Sequence, residues 1–88
     1  MGRMARIEIY TIPFCPYCER AKALLIRKGA AFEEVDAPTG SAARKSAIER
    51  SGGKSTVPQI FIDGRSIGGS DELSALDRAG KLDALLAA

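Results

Sequence analysis

The only two cysteines of this chain lie two residues apart, in Cys15-Pro16-Tyr17-Cys18. They stand where two patterns meet. Ile7-Glu8-Ile9-Tyr10-Thr11 alternates and is β-rich, which predicts a strand, and Ile12-Pro13-Phe14 makes a loop. From Pro16 onward, Cys18, Ala21, Leu24 and Leu25 recur at helical spacing. The fold must therefore run a strand straight into a helix whose first turn holds both sulfurs. Cys15 takes the N-cap and Pro16 the first helical position, where the amide that proline lacks would have had no partner. The amides of Tyr17 and Cys18 then point toward the Cys15 sulfur and, with the helix dipole, favour an anion there. Cys18, one turn on, is expected to be more buried and more nearly neutral. Cys15 is thus assigned as the attacking thiol and Cys18 as the resolving one.

The remaining elements follow from the same periodicities. The first helix runs from Pro16 to Lys28, with Arg20, Lys22, Arg27 and Lys28 on its outer face and Gly29 as its stop. A short strand over 31–35 is centred on Phe32. Pro38-Thr39-Gly40-Ser41 forms a turn, with Ser41 capping a weakly amphipathic helix that turns Ala47 and Ile48 inward. That helix reaches about Ser51 and ends at Gly52-Gly53. Gln59-Ile60-Phe61-Ile62 is a third strand. Asp63-Gly64 then makes a hairpin turn into Arg65-Ser66-Ile67, because both turn positions require positive φ. Gly68-Gly69 breaks the chain before a helix capped by Ser70 or Asp71 and carrying Leu73 and Leu76. Gly80 separates it from a last short helix with Leu82, Leu85 and Leu86. A strand–helix–strand unit favours parallel pairing, and the hairpin adds an antiparallel edge. The prediction is an α/β chain with a mixed four-stranded sheet and helices on both faces.

Composition narrows the function. At 88 residues the chain makes one domain, 1–88, with residues 1–5 expected to form a flexible N-terminus and Met4 an alternative start. Apolar residues at 45% and charged residues at 27% argue against disorder. A net charge of +2 is too small to indicate nucleic acid, and no window is apolar enough for a membrane span or a secretory signal. Two cysteines do not make a secreted disulfide scaffold. A closed zinc site needs four ligands, and the chain has no histidine and no further cysteine. A redox pair in a cytoplasmic monomer remains. Lowering a thiol pKa from ~8.5 to ~5 raises its thiolate fraction at pH 7 roughly 30-fold, while the weaker nucleophilicity removes roughly 25- to 60-fold. The gain lies in departure: such a sulfur leaves easily from a disulfide it has formed, which suits a thiol shuttle.

Cys15-Pro16-Tyr17-Cys18, Thr56-Val57-Pro58 and Gly68-Gly69-Ser70-Asp71, in this order, resemble the glutaredoxins, specifically the small dithiol bacterial ones of the third type. Ile9-Tyr10-Thr11, the segment 20–25, the segment 56–63 and Ala75-Leu76-Asp77 extend the likeness from about Arg6 to Leu86. The resemblance implies a thioredoxin fold with a glutathione groove beside Cys15. It implies a cis Pro58, with Thr56 and Val57 in the same segment and the Val57 backbone pairing with the cysteinyl part of glutathione. It maps the γ-glutamyl group to the Ser70 backbone and to Asp71. Gly68 and Gly69 would let the ligand come close, and Tyr17 would pack along the groove. Two positions depart from the pattern. Ile12 stands where many members carry a lysine that meets the glycyl carboxylate, so Lys45, and after it Lys54, is the candidate cation. Ser70 stands where third-type members tend to have an extra cysteine.

The activity this implies is glutathione-dependent thiol–disulfide exchange. Substrates would be protein–glutathione mixed disulfides and protein disulfides, glutathione the co-substrate, with no permanently bound cofactor and no metal. An alternative is a [2Fe–2S] carrier, with Cys15 of two chains and two glutathione thiols as ligands. Pro16 and Cys18 argue against it, because relatives of that kind more often have Ser or Gly after the first cysteine or lack the second. A thioredoxin is disfavoured, since the chain has no tryptophan and Phe14 takes the place before Cys15.

Overall fold

The first strand, β1 (Ile7–Thr11), lies second from one edge of a four-stranded sheet. The structure, a computed structural model, describes residues 5–87. In chain order the elements are β1, α1 (Pro16–Arg27), β2 (Glu33–Asp36), α2 (Ala42–Arg50), β3 (Gln59–Ile62), β4 (Arg65–Gly68), α3 (Ser70–Arg78) and α4 (Leu82–Leu86). The sheet order is β2-β1-β3-β4. β1 pairs parallel with β2, across the α1 crossover, and antiparallel with β3, while β3 and β4 form the hairpin. This is the mixed sheet of the thioredoxin fold.

Helices cover both faces. Ile7, Ile9, Ile60 and Ile62 point toward Ala21, Leu24 and Leu25 of α1, Leu73 of α3, and Leu82 and Leu86 of α4. Tyr10 and Phe61 point the other way, toward Ala47 of α2 and Ala37. Of the two residues expected to face inward from α2, Ala47 is buried and Ile48 is half-buried. At the hairpin Asp63 has φ 49° and Gly64 φ 81°, as an Asp-Gly turn requires.

Several boundaries move: α1 ends at Arg27 rather than Lys28, and β4 takes in Gly68, which was expected to break the chain. The second strand begins at Glu33 rather than Ala31, because its ladder starts where Glu33 meets Glu8 and closes where Asp36 meets Thr11. Phe32 packs against the apolar cluster just before the ladder. The expected flexible start lies largely outside the described residues, as does Met4. It does not include Ala5, which is buried and donates its amide to the Leu86 carbonyl at 2.9 Å. Next to it, Arg6 and Asp63 exchange bonds: the Arg6 amide donates to Asp63 Oδ1 at 2.9 Å, and the Asp63 amide to the Arg6 carbonyl at 2.8 Å.

Candidate active site

The turn from β1 into α1 places the cysteines. Phe14 sits at φ 57°, and this left-handed residue swings the chain from the strand into the helix. Cys15 is the N-cap, with extended φ and ψ of −112° and 107°, and Pro16 opens the helix. The Cys18 amide, one of the two expected to face the sulfur, donates to Cys15 Sγ at 3.2 Å. The Glu19 amide takes the Cys15 carbonyl at 3.0 Å. Cys15 is partly exposed, whereas Cys18 is fully buried, and both are free thiols. Burial pushes the Cys18 thiol up to about 11, the hydrogen bond and charge of the Cys15 sulfur add to this, and the Ile12 backbone works against it. The two sulfurs are unlike by position: one capped and reachable, one sealed and protonated.

Beside this turn runs a groove of about 390 Å³. Tyr17 lines it from α1, Lys54 to Gln59 contribute all but Ser55 from the segment before β3, and Gly69 to Glu72 line it from the start of α3. The Val57–Pro58 peptide bond is cis, as the family pattern implied. Of the site residues expected from sequence, Tyr17, Thr56, Val57, Pro58, Gly69, Ser70 and Asp71 come together here. Cys15 lies two residues before Tyr17, at the head of the same helix.

The start of α3 is built differently from the expectation. Gly69, not Ser70 or Asp71, is the N-cap, and Ser70 is the first helical residue and buried. Having no side chain, Gly69 cannot cap its own helix; instead Glu72 Oε1 accepts the Gly69 amide at 2.7 Å. The two glycines make room for protein as well as for any ligand. A Cβ on Gly68, at φ 111°, would lie 2.8 Å from Glu72 Cγ, and one on Gly69 would lie 3.2 Å from the Pro58 carbonyl oxygen. Gly69 thus lets the helix start close against Pro58, and both residues line the groove.

Lys45 does not line this groove; it projects from the first turn of α2 and is exposed. Lys54, the second candidate, does line it. Ile12 faces a separate hollow of about 320 Å³ lined also by Pro13, Lys22 and Glu34. There Lys22 Nζ lies 2.9 Å from Glu19 and 3.0 Å from Glu34, and the Thr11 hydroxyl donates to Glu34 at 2.7 Å. The Thr11 hydroxyl and Lys22 hold the Glu34 carboxyl below its ordinary value.

Gln59 and Glu72 line the groove without having been singled out from sequence. Glu72 carried a signal, an acid three residues after a glycine break at a helix start. Gln59 carried another, an amide inside an apolar strand. It is buried, and its Nε2 donates to the Thr56 carbonyl at 3.0 Å and to Thr56 Oγ1 at 3.3 Å. A carbonyl oxygen only accepts, so nitrogen must face it, which leaves Gln59 Oε1 buried without a partner. Among the described residues no group of three or more His, Cys, Asp or Glu side chains could hold a metal ion, and no helix is long and apolar enough to cross a membrane.

Comparison with known proteins places this arrangement. The chain is 57% identical over 83 residues to glutaredoxin 3 of Escherichia coli K12, covering 94% of this chain and 99% of that one. The solution structure of a glutaredoxin from Brucella melitensis superposes with a TM-score of 0.83 at 55% identity, covering 98% of this chain and 92% of that one. A crystal structure of a buckwheat glutaredoxin–glutathione complex does so with a TM-score of 0.82 at 30% identity, covering 93% and 76%. With the glutaredoxin family model also matching residues 7–67, from β1 through the cysteine pair and Pro58 into β4, this chain belongs to the glutaredoxin family.

Proposed function

We propose that Cys15 attacks and Cys18 resolves in this glutathione-dependent thiol–disulfide oxidoreductase, with glutathione lying in the groove between Tyr17, Pro58 and Asp71. The observation that carries the assignment is the Cys15 sulfur at a helix start, accepting the Cys18 amide at 3.2 Å. The positive end of α1 and an amide donor are both on hand to stabilise negative charge on that sulfur.

In the first step the Cys15 thiolate attacks the glutathione sulfur of a protein–glutathione mixed disulfide. The Cys15–glutathione bond forms as the protein–glutathione bond breaks, and the protein sulfur leaves with the electron pair and takes a proton from water. A second glutathione thiolate then attacks the glutathione sulfur on Cys15. Oxidised glutathione departs and the Cys15 thiolate is restored. Along the groove, the Val57 backbone pairs with the cysteinyl unit. The amides at the start of α3 receive the γ-glutamyl carboxylate, and Asp71 meets its ammonium. Lys54 is better placed than Lys45 for the glycyl carboxylate, since it is the one that lines the groove. The glutathione bound in the buckwheat relative supports this occupancy.

With a protein disulfide, Cys15 attacks one sulfur as the other leaves with the electron pair, giving a mixed disulfide. Cys18, after losing its proton to water, attacks Cys15 Sγ, the second substrate sulfur leaves, and two glutathione molecules reduce the resulting Cys15–Cys18 disulfide. Burial is the main cause that raises the Cys18 thiol to about 11, and the hydrogen bond and charge of the Cys15 sulfur add to it. Conversion of the Cys15 thiolate to a neutral disulfide removes those two lesser contributions, so Cys18 ionises more readily once Cys15 has reacted. On this reading the partners are glutathionylated and disulfide-containing proteins, residues 1–88 form one working domain, the unit is a monomer and the compartment is the reducing cytoplasm. No observation favours the cluster-carrier alternative.

Cys15→Ser is expected to lower turnover of a glutathionylated peptide by about a thousandfold or more. Cys18→Ser should keep that activity and lose efficient reduction of a protein disulfide. Activity surviving in Cys15→Ser, measured by coupling to glutathione reductase, would overturn the assignment of the attacking thiol.

A further inference from the structure

We propose that Phe14 is a specificity-determining residue for protein disulfides, binding the polypeptide next to the captured cysteine and selecting cysteines flanked by apolar side chains. The proposal rests on Cys15 being the attacking thiol. Phe14 is fully exposed, at 102% of its reference accessibility, and belongs to neither apolar cluster of the fold. Its backbone is held at φ 57°, a conformation unfavourable for a bulky side chain. The ring therefore adds no packing to the domain while standing on a strained turn next to the nucleophile.

The exposed large apolar side chains among the described residues are Phe14, Tyr17 and Ile26, and the first two lie on either side of Cys15 in the chain. They are not equivalent. Tyr17 lines the glutathione groove and is covered on one face by Arg20, 5.3 Å from the ring centre. Phe14 does not line that groove. Pro13 and Pro16 beside it are also exposed and carry no charge.

Disulfide geometry brings the substrate chain to this spot. Cα atoms joined by a disulfide lie ~4.4–6.8 Å apart, and Phe14 Cα is ~3.8 Å along the chain from Cys15 Cα. In the reduction of a protein disulfide Cys15 joins a substrate cysteine, and that cysteine's Cα is then within about 11 Å of Phe14 Cα. A phenyl group on one side and the residue flanking the substrate cysteine on the other span that gap. An apolar flanking residue would cover the ring and remove both surfaces from water; a polar one would gain nothing.

The test uses two short synthetic peptides, each closed by one disulfide and identical except for leucine or serine on both sides of each cysteine, and the mixed disulfide of glutathione with 2-mercaptoethanol. The wild-type chain should prefer the leucine peptide about five- to tenfold in kcat/KM. Phe14→Ser and Phe14→Gly should bring the two peptides within about twofold of each other and leave the small disulfide within about twofold of wild type. Glycine accepts the positive φ, so Phe14→Gly removes the ring while keeping the turn. Absence of a wild-type preference, a preference that survives in Phe14→Gly, or an equal loss on all three substrates would each overturn the proposal. An active Cys15→Ser chain would instead overturn the assignment on which it rests.

Discussion

The two faces of the sheet are held by different physics. Under α1, α3 and α4 the contact is aliphatic, built from Ile7, Ile9, Leu24, Leu25, Ile60, Leu73 and Leu82. Under α2 the apolar cluster is small, and one arginine works as a clamp. Arg50 Nη1 and Nη2 donate to the Glu8 carboxylate at 3.1 and 2.8 Å, and Nη1 also donates to the Tyr10 hydroxyl at 2.8 Å. The same guanidinium lies 4.1 Å from the Phe61 ring centre, and Phe61 meets Tyr10 edge-on at 5.6 Å. Hydrophobic area is non-directional and tolerates drift, whereas a bidentate ion pair fixes an angle. The groove draws on both. The cysteine helix and the start of α3 rise from the aliphatic side. The segment before Pro58 is tied to α2, where Arg44 Nε donates to the Ser55 carbonyl at 3.2 Å and Nη1 to the Ala37 carbonyl at 2.7 Å. One wall of the groove is packed and the other is tethered.

The contrast can be broken by mutation. Leu73→Ala, at a fully buried position of α3, is expected to cost about 3 kcal/mol and lower Tm by about 15 °C, seen by calorimetry as one cooperative transition. Arg50→Ala should cost about 2 kcal/mol, since it leaves the Glu8 carboxylate and Tyr10 hydroxyl short of a partner in a partly buried place. Hydrogen exchange would locate the loss: amides 42–50 of α2 should lose more protection than those of α1. Equal loss in both helices would mean that the faces do not differ as described.

The smallest effect is a pH dependence. The hydrogen bonds from Arg50, and its charge, hold the Glu8 carboxyl below its ordinary value against the opposing effect of burial. A carboxylate lowered in the folded state contributes stability that is fully present above its unfolded pKa of ~4.3 and is lost as pH falls through the lower folded value. The stability gap between wild type and Arg50→Ala should therefore narrow as pH drops from about 5 to about 3 in urea titrations. A gap that stays constant across that range would show that Arg50 acts through its stacking on Phe61 and its bond to Tyr10, not through Glu8.

The aliphatic side was the legible one. Cys18, Ala21, Leu24 and Leu25 mark the buried stripe of α1 directly, and they are its buried residues. Asp63-Gly64 announced its hairpin because few residues tolerate its dihedrals. Ser41 was readable as a cap, and its Oγ accepts the Arg44 amide at 3.1 Å. The tethered side was less so. Lys45 and Lys54 are alike as letters, and neither local pattern nor charge says which one turns toward the groove. Glu8 and Arg50 are 42 positions apart, so their pairing exists only once α2 lies across the sheet. The cap of α3 was misread for a related reason. Serine and aspartate are the usual caps, but here Glu72 bonds the Gly69 amide from within the helix.

Local chemistry alone was enough to set two thiols at the head of a helix and to order the strands and helices around them, because dihedral preference and hydrophobic period act within a few residues. Which lysine reaches the groove, which side-chain oxygen along it is left without a partner, and how deeply the second sulfur is sealed were settled by packing. Those properties depend on distances between segments far apart in the chain, and burial and electrostatic shifts arise only when those segments meet.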